Sequence, residues 1–183
     1  MKTFYAILFL ALALVPVNSY AKGGGGGGWL LGVDFSYIVS KTETVYSGTT
    51  TNSESSNNIY DISLGNVMGS GVYLGLLYST KSFKDTDSSS SASAMGPSLG
   101  YIGERGFSIV ATYILSATDG EYKKGTGYQI DLGYRSFLAP NFYMGAKLAV
   151  KSVKFTENET LSSSFESLTY NTTIPYVVTG FLF

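Results

Sequence analysis

The sequence predicts an all-β chain, folded as an eight-stranded antiparallel up-and-down transmembrane β-barrel. Three observations predict it: an export signal at the amino terminus, a period-two alternation of large apolar with small or polar residues that recurs in eight segments, and connections that are short and long in turn.

The signal comes first in the chain. Lys2 precedes an apolar run from Phe4 to Val15, Pro16 follows, and Ser19-Tyr20-Ala21 supplies small residues for a cut after Ala21. That run is too short to cross a hydrocarbon core of about 30 Å, so residues 1–21 are expected to be a signal peptide and not an anchor. Residues 22–28 follow as a Gly-rich periplasmic leader, and residues 29–183 as the barrel domain. Within the leader, Gly23, Gly25 and Gly28 have the spacing of a dinucleotide fingerprint. That motif needs a strand before it and a helix after it, and neither is present, so the run reads as low complexity.

Composition narrows the function classes. Without cysteine the chain has no disulfides and no lipoprotein anchor, so hydrogen bonding and packing must hold it together. With Lys2 removed, eleven basic and thirteen acidic residues remain, which is no nucleic-acid footprint. Tyrosine occurs 15 times and glycine 22 times, and only 14% of residues are charged, a composition of strands and not of helices.

The eight segments follow in order. From Trp29 to Ser40, the residues Trp29, Leu31, Val33, Phe35, Tyr37 and Val39 share a face, against Gly32, Asp34, Ser36 and Ser40, with Leu30 and Ile38 among the latter. Tyr60, Ile62 and Leu64 then oppose Asp61, Ser63 and Gly65. Val72, Leu74, Leu76 and Tyr78 oppose Tyr73, Gly75, Leu77 and Ser79. Met95, Pro97, Leu99 and Tyr101 oppose Ala94, Gly96, Ser98 and Gly100. Phe107, Ile109, Ala111, Tyr113 and Leu115 oppose Ser108, Val110, Thr112, Ile114 and Ser116. Tyr128, Ile130, Leu132 and Tyr134 oppose Gln129, Asp131, Gly133 and Arg135. Phe142, Met144, Ala146, Leu148 and Val150 oppose Tyr143, Gly145, Lys147, Ala149 and Lys151. Last, Val177, Thr179, Phe181 and Phe183 oppose Tyr176, Val178, Gly180 and Leu182.

Short turns are expected at Gly69-Ser70-Gly71, Gly103-Glu104-Arg105 and Leu138-Ala139-Pro140, and polar loops at about Lys41–Asn58, Lys81–Ser93, Ala117–Thr126 and Phe155–Asn171. The short and long sides never mix, as an up-and-down meander requires, with both termini on the short side.

One face is large and apolar, the other small or polar with a few charges. A soluble barrel turns its apolar face inward, whereas a transmembrane barrel turns it toward lipid. The aromatics choose between them. Trp29, Tyr101, Phe107, Phe142 and Phe183 fall at the terminus end of their strands, and Tyr37, Tyr60, Tyr78, Tyr113 and Tyr128 toward the other end, all with the parity of the apolar face. Two such rings are what the two interfaces of a bilayer favour.

On these features the chain resembles the small outer-membrane β-barrel family of Gram-negative bacteria, the OmpA/OmpX/OmpW-like eight-stranded barrels. The resemblance implies a bacterial outer-membrane protein with periplasmic termini, a monomer without cofactor or metal, surrounded by outer-membrane lipid and lipopolysaccharide. It also implies that Phe181 and Phe183, the apolar ending of the last strand, form the signal read by the barrel-assembly machinery. Barrel enzymes that transfer or remove acyl groups, or cut peptides, use a histidine, and this chain has none. A carboxylate-only hydrolase would need a cleft that the sequence does not reveal.

Six charged residues have inward parity: Asp34, Asp61, Asp131, Arg135, Lys147 and Lys151. An eight-stranded barrel is just wide enough for side chains, and buried charges survive when paired. They are therefore expected to form an interior network that fills the barrel. With Phe137 opposite Asn141 across the last short turn, the register sets Asp131 directly opposite Lys147. The expected function is that of a non-enzymatic outer-membrane protein, for membrane integrity or for contact with a surface ligand through its loops. The alternative is a narrow channel or lateral-diffusion carrier for small or apolar solutes, and a lipid-modifying enzyme comes third.

Overall fold

The structure, a computed structural model, describes residues 27–46, 49–84, 89–160 and 165–183. The signal peptide and most of the leader lie outside the described residues. Nine strands form one sheet: β1 (Gly28–Tyr46), β2 (Thr49–Val67), β3 (Val72–Lys84), β4 (Ser89–Ile102), β5 (Phe107–Asp119), β6 (Tyr122–Phe137), β7 (Phe142–Phe155), β8 (Glu157–Asn158) and β9 (Leu168–Leu182). Sequential neighbours pair antiparallel, β9 pairs with β1, and β5 pairs with β6, so β1–β7 and β9 close an eight-stranded barrel. The two-residue β8 is an addition, bonded to the start of β6.

The ladders also fix the tilt. From Leu30 the rungs run through Gly65, Gly75, Ser98, Thr112, Gln129, Lys151 and Thr172. Carried on from the Phe35–Val177 pair, the last register meets β1 again at Ser40, ten residues above the start. A stagger of ten over eight strands corresponds to a tilt of about 40°.

The end of the barrel that carries the chain termini is called the lower end below. Its turns are tight. Gly71 and Gly106 donate to Met68 and Gly103 across the turn, and both adopt left-handed φ, 85° and 89°. A three-residue hairpin loop needs glycine at this position, because a side chain there would clash with the backbone.

The third turn corrects the expected register. Leu138 N–H donates to Phe142 C=O, so the loop is Ala139-Pro140-Asn141 and Phe137 faces Tyr143. Moving the turn by one residue moves the register by two. Asp131 therefore lies opposite Ala149, and Lys147 opposite Gly133, on the same face as expected but diagonal to each other.

At the upper end the four segments expected as loops are mostly ladder. β1 and β2 stay paired to Tyr46–Thr49, β3 and β4 to Lys84–Ser89, β5 and β6 to Asp119–Tyr122, and β7 and β9 to Phe155–Leu168. Ser- and Thr-rich stretches look like loops because they are polar on both faces. A hairpin that stands in water needs no apolar face, and Thr suits a strand.

Two places in the barrel wall are irregular, and a proline lies at each. Along β5 the register with both neighbours slips by one residue near Leu115 and Ser116, which are both exposed. This β-bulge turns Ala117 inward and overturns the inward place expected for Ser116. Pro97 lies in the interrupted stretch of β4, with its missing N–H on the β5 side. The second irregularity is the closing seam. Trp29 and Phe183 exchange both backbone hydrogen bonds at 2.6 and 2.9 Å, and the β1–β9 pairing ends at Phe35–Val177. The next partner in the alternation is Pro175, which has no N–H to give Tyr37, while the β7–β9 ladder continues undisturbed on its other side.

Candidate functional site in the barrel lumen

Inward residues come from alternate positions, so each strand contributes a column whose side-chain sizes decide what its level contains. The lowest level is a plug. Tyr73 and Tyr143 are almost fully buried and pack with Leu30, Val67, Ile102 and Val110. Their bulk is accommodated by facing glycines. The paired Gly65 and Gly75 lie against the Tyr73 ring, and the paired Gly32 and Gly180 against the Tyr143 hydroxyl; a Cβ at any of the four would collide with them. Arg135 stacks on Tyr143 with its guanidinium carbon 5.4 Å from the ring centre.

The middle level is polar and centred on Lys147. Its ammonium lies 2.8 Å from Asp34, 3.0 Å from Asp61 and 3.1 Å from Asp131, carboxylates from β1, β2 and β6. Three donors meet three acceptors, so the lysine is satisfied although it is only 6% exposed. Gln129 donates to Asp61 at 3.1 Å and to Asp131 at 2.9 Å, and the Tyr176 hydroxyl donates to Asp61 at 3.2 Å. The ammonium also sits 4.5 Å from the centre of the Tyr176 ring. Asp34 and Asp61 are direct cross-strand partners, an arrangement that repels unless a cation bridges it. Beneath this level the residual void is only about 10 Å³, the size of one water.

The six inward charges are thus placed unevenly. Lys147 gathers the three aspartates. Arg135 below and Lys151 above make no ion pair among the described residues, but they bring these six charges to three positive and three negative.

The upper level is open, which corrects the expectation of a filled lumen. A cavity of about 460 Å³ lies above the Lys147 level, between Lys151 and the lower part of the upper hairpins. Its inward positions carry Ser79 on β3, above Tyr73 of the same column, and Ala92 and Ala94 on β4. Isoleucines from β1, β2 and β9 line one side, and Phe155 and Tyr170, whose rings meet edge-on at 6.0 Å, roof another. At its rim Lys81 lies 3.5 Å from Asp119, and Lys151 on its floor reaches Ser79 Oγ at 3.4 Å.

The predicted aromatics are on the exterior. Trp29, Tyr37, Tyr60, Tyr78, Tyr101, Phe107, Tyr113, Tyr128, Phe181 and Phe183 are all exposed, and Phe142 is half-buried against Phe181 at 5.3 Å between ring centres. Phe35 and Tyr60 pair at 5.2 Å across the first ladder. Between the rings stand exposed aliphatics such as Leu76 and Leu99, 62% and 58% exposed. From Trp29 to Tyr37 is about 27 Å along a strand, or about 20 Å in height at that tilt.

Three features were not singled out from the sequence: the Tyr73/Tyr143 plug, the Gln129–Tyr176 support of Asp61, and the two prolines. The prolines did carry a signal, since a proline inside a strand marks an edge or a bulge. Compared with family models and with curated proteins, the chain matches none.

Proposed function

We propose that the chain is a non-enzymatic integral outer-membrane β-barrel that does not conduct, and that it presents its upper hairpins outside the cell. The observation that carries this reading is the inverted surface: an apolar exterior rimmed by two sets of aromatics, around a lumen of charges and hydroxyls. In water, an exterior with Leu76, Leu99 and Leu115 more than half exposed would be a continuous association surface, whereas lipid satisfies it. Closure of the strands on themselves leaves no unpaired edge at the lower, fully laddered end, as a bilayer demands. The Tyr73/Tyr143 plug and the Lys147 cluster below the cavity support the absence of a through-pore.

Mobility on a gel before and after boiling tests the location. The outer-membrane fraction should contain a band that stays compact in detergent until heated, and a soluble periplasmic protein with unchanged mobility would refute the reading. Planar-bilayer recording tests the plug: pure protein should give no stable porin-sized steps.

One observation favours a second reading, lateral exchange of a small apolar solute. The cavity lies against the stretch of β1 and β9 that is left unpaired above Phe35, so a molecule in the cup borders the upper lipid interface through the seam.

A further inference from the structure

We propose that the upper cup of the lumen binds a single-chain amphiphile with one anionic head, a fatty-acid-like carboxylate seated on Lys151. The proposal rests on the outer-membrane reading and names the class of molecule which that reading leaves open.

Two lysines on one strand carry the inference. Lys147 and Lys151 are four residues apart on β7 and face the same lumen. Lys147 spends its three donors on three carboxylates. Lys151 makes one long hydrogen bond, 3.4 Å to Ser79 Oγ, and no carboxylate among the described residues lies within 4.0 Å of its ammonium. An ammonium has three donors, so two remain for a ligand at the floor of the cavity. The lumen as a whole balances the charge of Lys151, but among the described residues only Ser79 accepts a hydrogen bond from it.

Above this floor Ile38, Ile59, Phe83, Val153, Phe155 and Ile174 give the cavity a largely apolar wall, interrupted by Asn57 and by hydroxyls such as Ser90, Thr118 and Thr172. A molecule that satisfies both must present one charged acceptor below and a hydrocarbon body above. One negative charge is the match, because the other lysine of the cup, Lys81, is engaged by Asp119, and that carboxylate would repel a second charge. The volume, about 460 Å³, falls within the roughly 300–1,000 Å³ of small-molecule sites. The seam supplies the route. Ile38 on β1 and Ile174 on β9 line the cup and stand beside the rungs lost above Phe35, so the tail of the amphiphile can reach the upper interface at the Tyr37 level while its head stays on Lys151.

The test uses the full mature chain in lipid nanodiscs, titrated with decanoate and, as an uncharged control, decanol. Amide shifts of Ser79 and Lys151 serve as the readout, since they separate the cup from the lipid belt. Decanoate should shift both amides saturably and bind at least about tenfold tighter than decanol, as a charge-assisted hydrogen bond to the head requires. Lys151→Met should remove that preference and Lys151→Arg should keep it. Equal affinities for the two probes in the natural chain, or an undiminished preference in Lys151→Met, would overturn the assignment. The natural-chain comparison stands even if the Met variant fails to fold. Heat-dependent gel mobility of the same sample separates the two levels: a heat-modifiable barrel that ignores decanoate loses only this site, whereas a sample without heat modification loses the membrane reading.

Discussion

Below Lys147 the lumen is closed by Tyr73, Tyr143 and a carboxylate cluster; above it the same eight strands enclose about 460 Å³. Strand number and stagger are common to both halves, so they cannot explain the difference. Side-chain size at the inward positions does. The β3 column runs Tyr73, Gly75, Leu77, Ser79 upward before Lys81 and Phe83 reach the wall of the cup, and Tyr73 at the bottom lies over the glycines while Ser79 leaves space at the floor. An eight-stranded barrel therefore has a lumen only as full as its alternate residues make it. The chain uses this to combine a sealed lower end with an accessible cup. The seam follows the same division, with rungs from Trp29 to Phe35 and none from there to the rim.

The largest effect that separates the halves is expected from the two lysines. Lys147→Met leaves Asp34 and Asp61 face to face without their cation, and removal of one partner from such a buried cluster costs about 3–5 kcal/mol. Lys151→Met removes no ion pair and should stay within about 1 kcal/mol, since loss of a desolvated charge offsets loss of its long-range balance. Adding Asp61→Asn to Lys147→Met should cost less than the two single losses summed, because fewer orphan carboxylates remain. Urea unfolding in lipid vesicles gives all these values. Equal losses for the two lysines would mean that the middle level does not lock the barrel.

A somewhat smaller effect tests what lies outside the lumen. Val33 points outward between Trp29 and Tyr37, and on the proposed membrane reading Val33→Arg should cost about 2–4 kcal/mol, as for an arginine that faces lipid near the midplane. The same change at Val39, which also points outward but stands above Tyr37, lies beyond the expected apolar belt and should cost about 1 kcal/mol or less. A depth-independent response measured in the same vesicles would remove the membrane from the explanation.

Much of the architecture is legible in the sequence because period two is a strong signal when both faces are chemically distinct. Leu31 and Asp34 on one strand, or Leu132 and Asp131 on another, leave no doubt about which side is which. Closure and the short-turn end follow from the rhythm of the connections. Register is harder. The Asp131–Lys147 contact forms at 3.1 Å although the two are diagonal and not opposite, because a one-residue change of turn preserves parity and a lysine is long enough to absorb the offset. The bulge at Leu115 and Ser116 has no local cue in those two residues; its cue is Pro97, on the neighbouring strand. The cup was hidden for a different reason. Hollowness is a property of eight columns at one height, and no single segment displays it.

The smallest effect concerns the seam and needs a readout finer than overall stability. Alternation from the Trp29–Phe183 pair gives the N–H of residues 181, 179 and 177 to β1, and would give that of residue 175 to Tyr37 if it had one. Pro175→Ala restores the donor. A net backbone hydrogen bond contributes about 0.5–1.5 kcal/mol, but replacing a proline that fits its site frees the unfolded chain by about 0.4–1 kcal/mol. The two nearly cancel, so the urea midpoint should barely move. Hydrogen exchange of the new amide does not share that cancellation. If the lost rungs are due to the proline, the amide gained at position 175 should be protected to a degree similar to those of Val177 and Thr179, and exchange at Tyr37 and Val39 should slow with it. Rapid exchange of that new amide would mean that the seam stands open for a reason other than the proline.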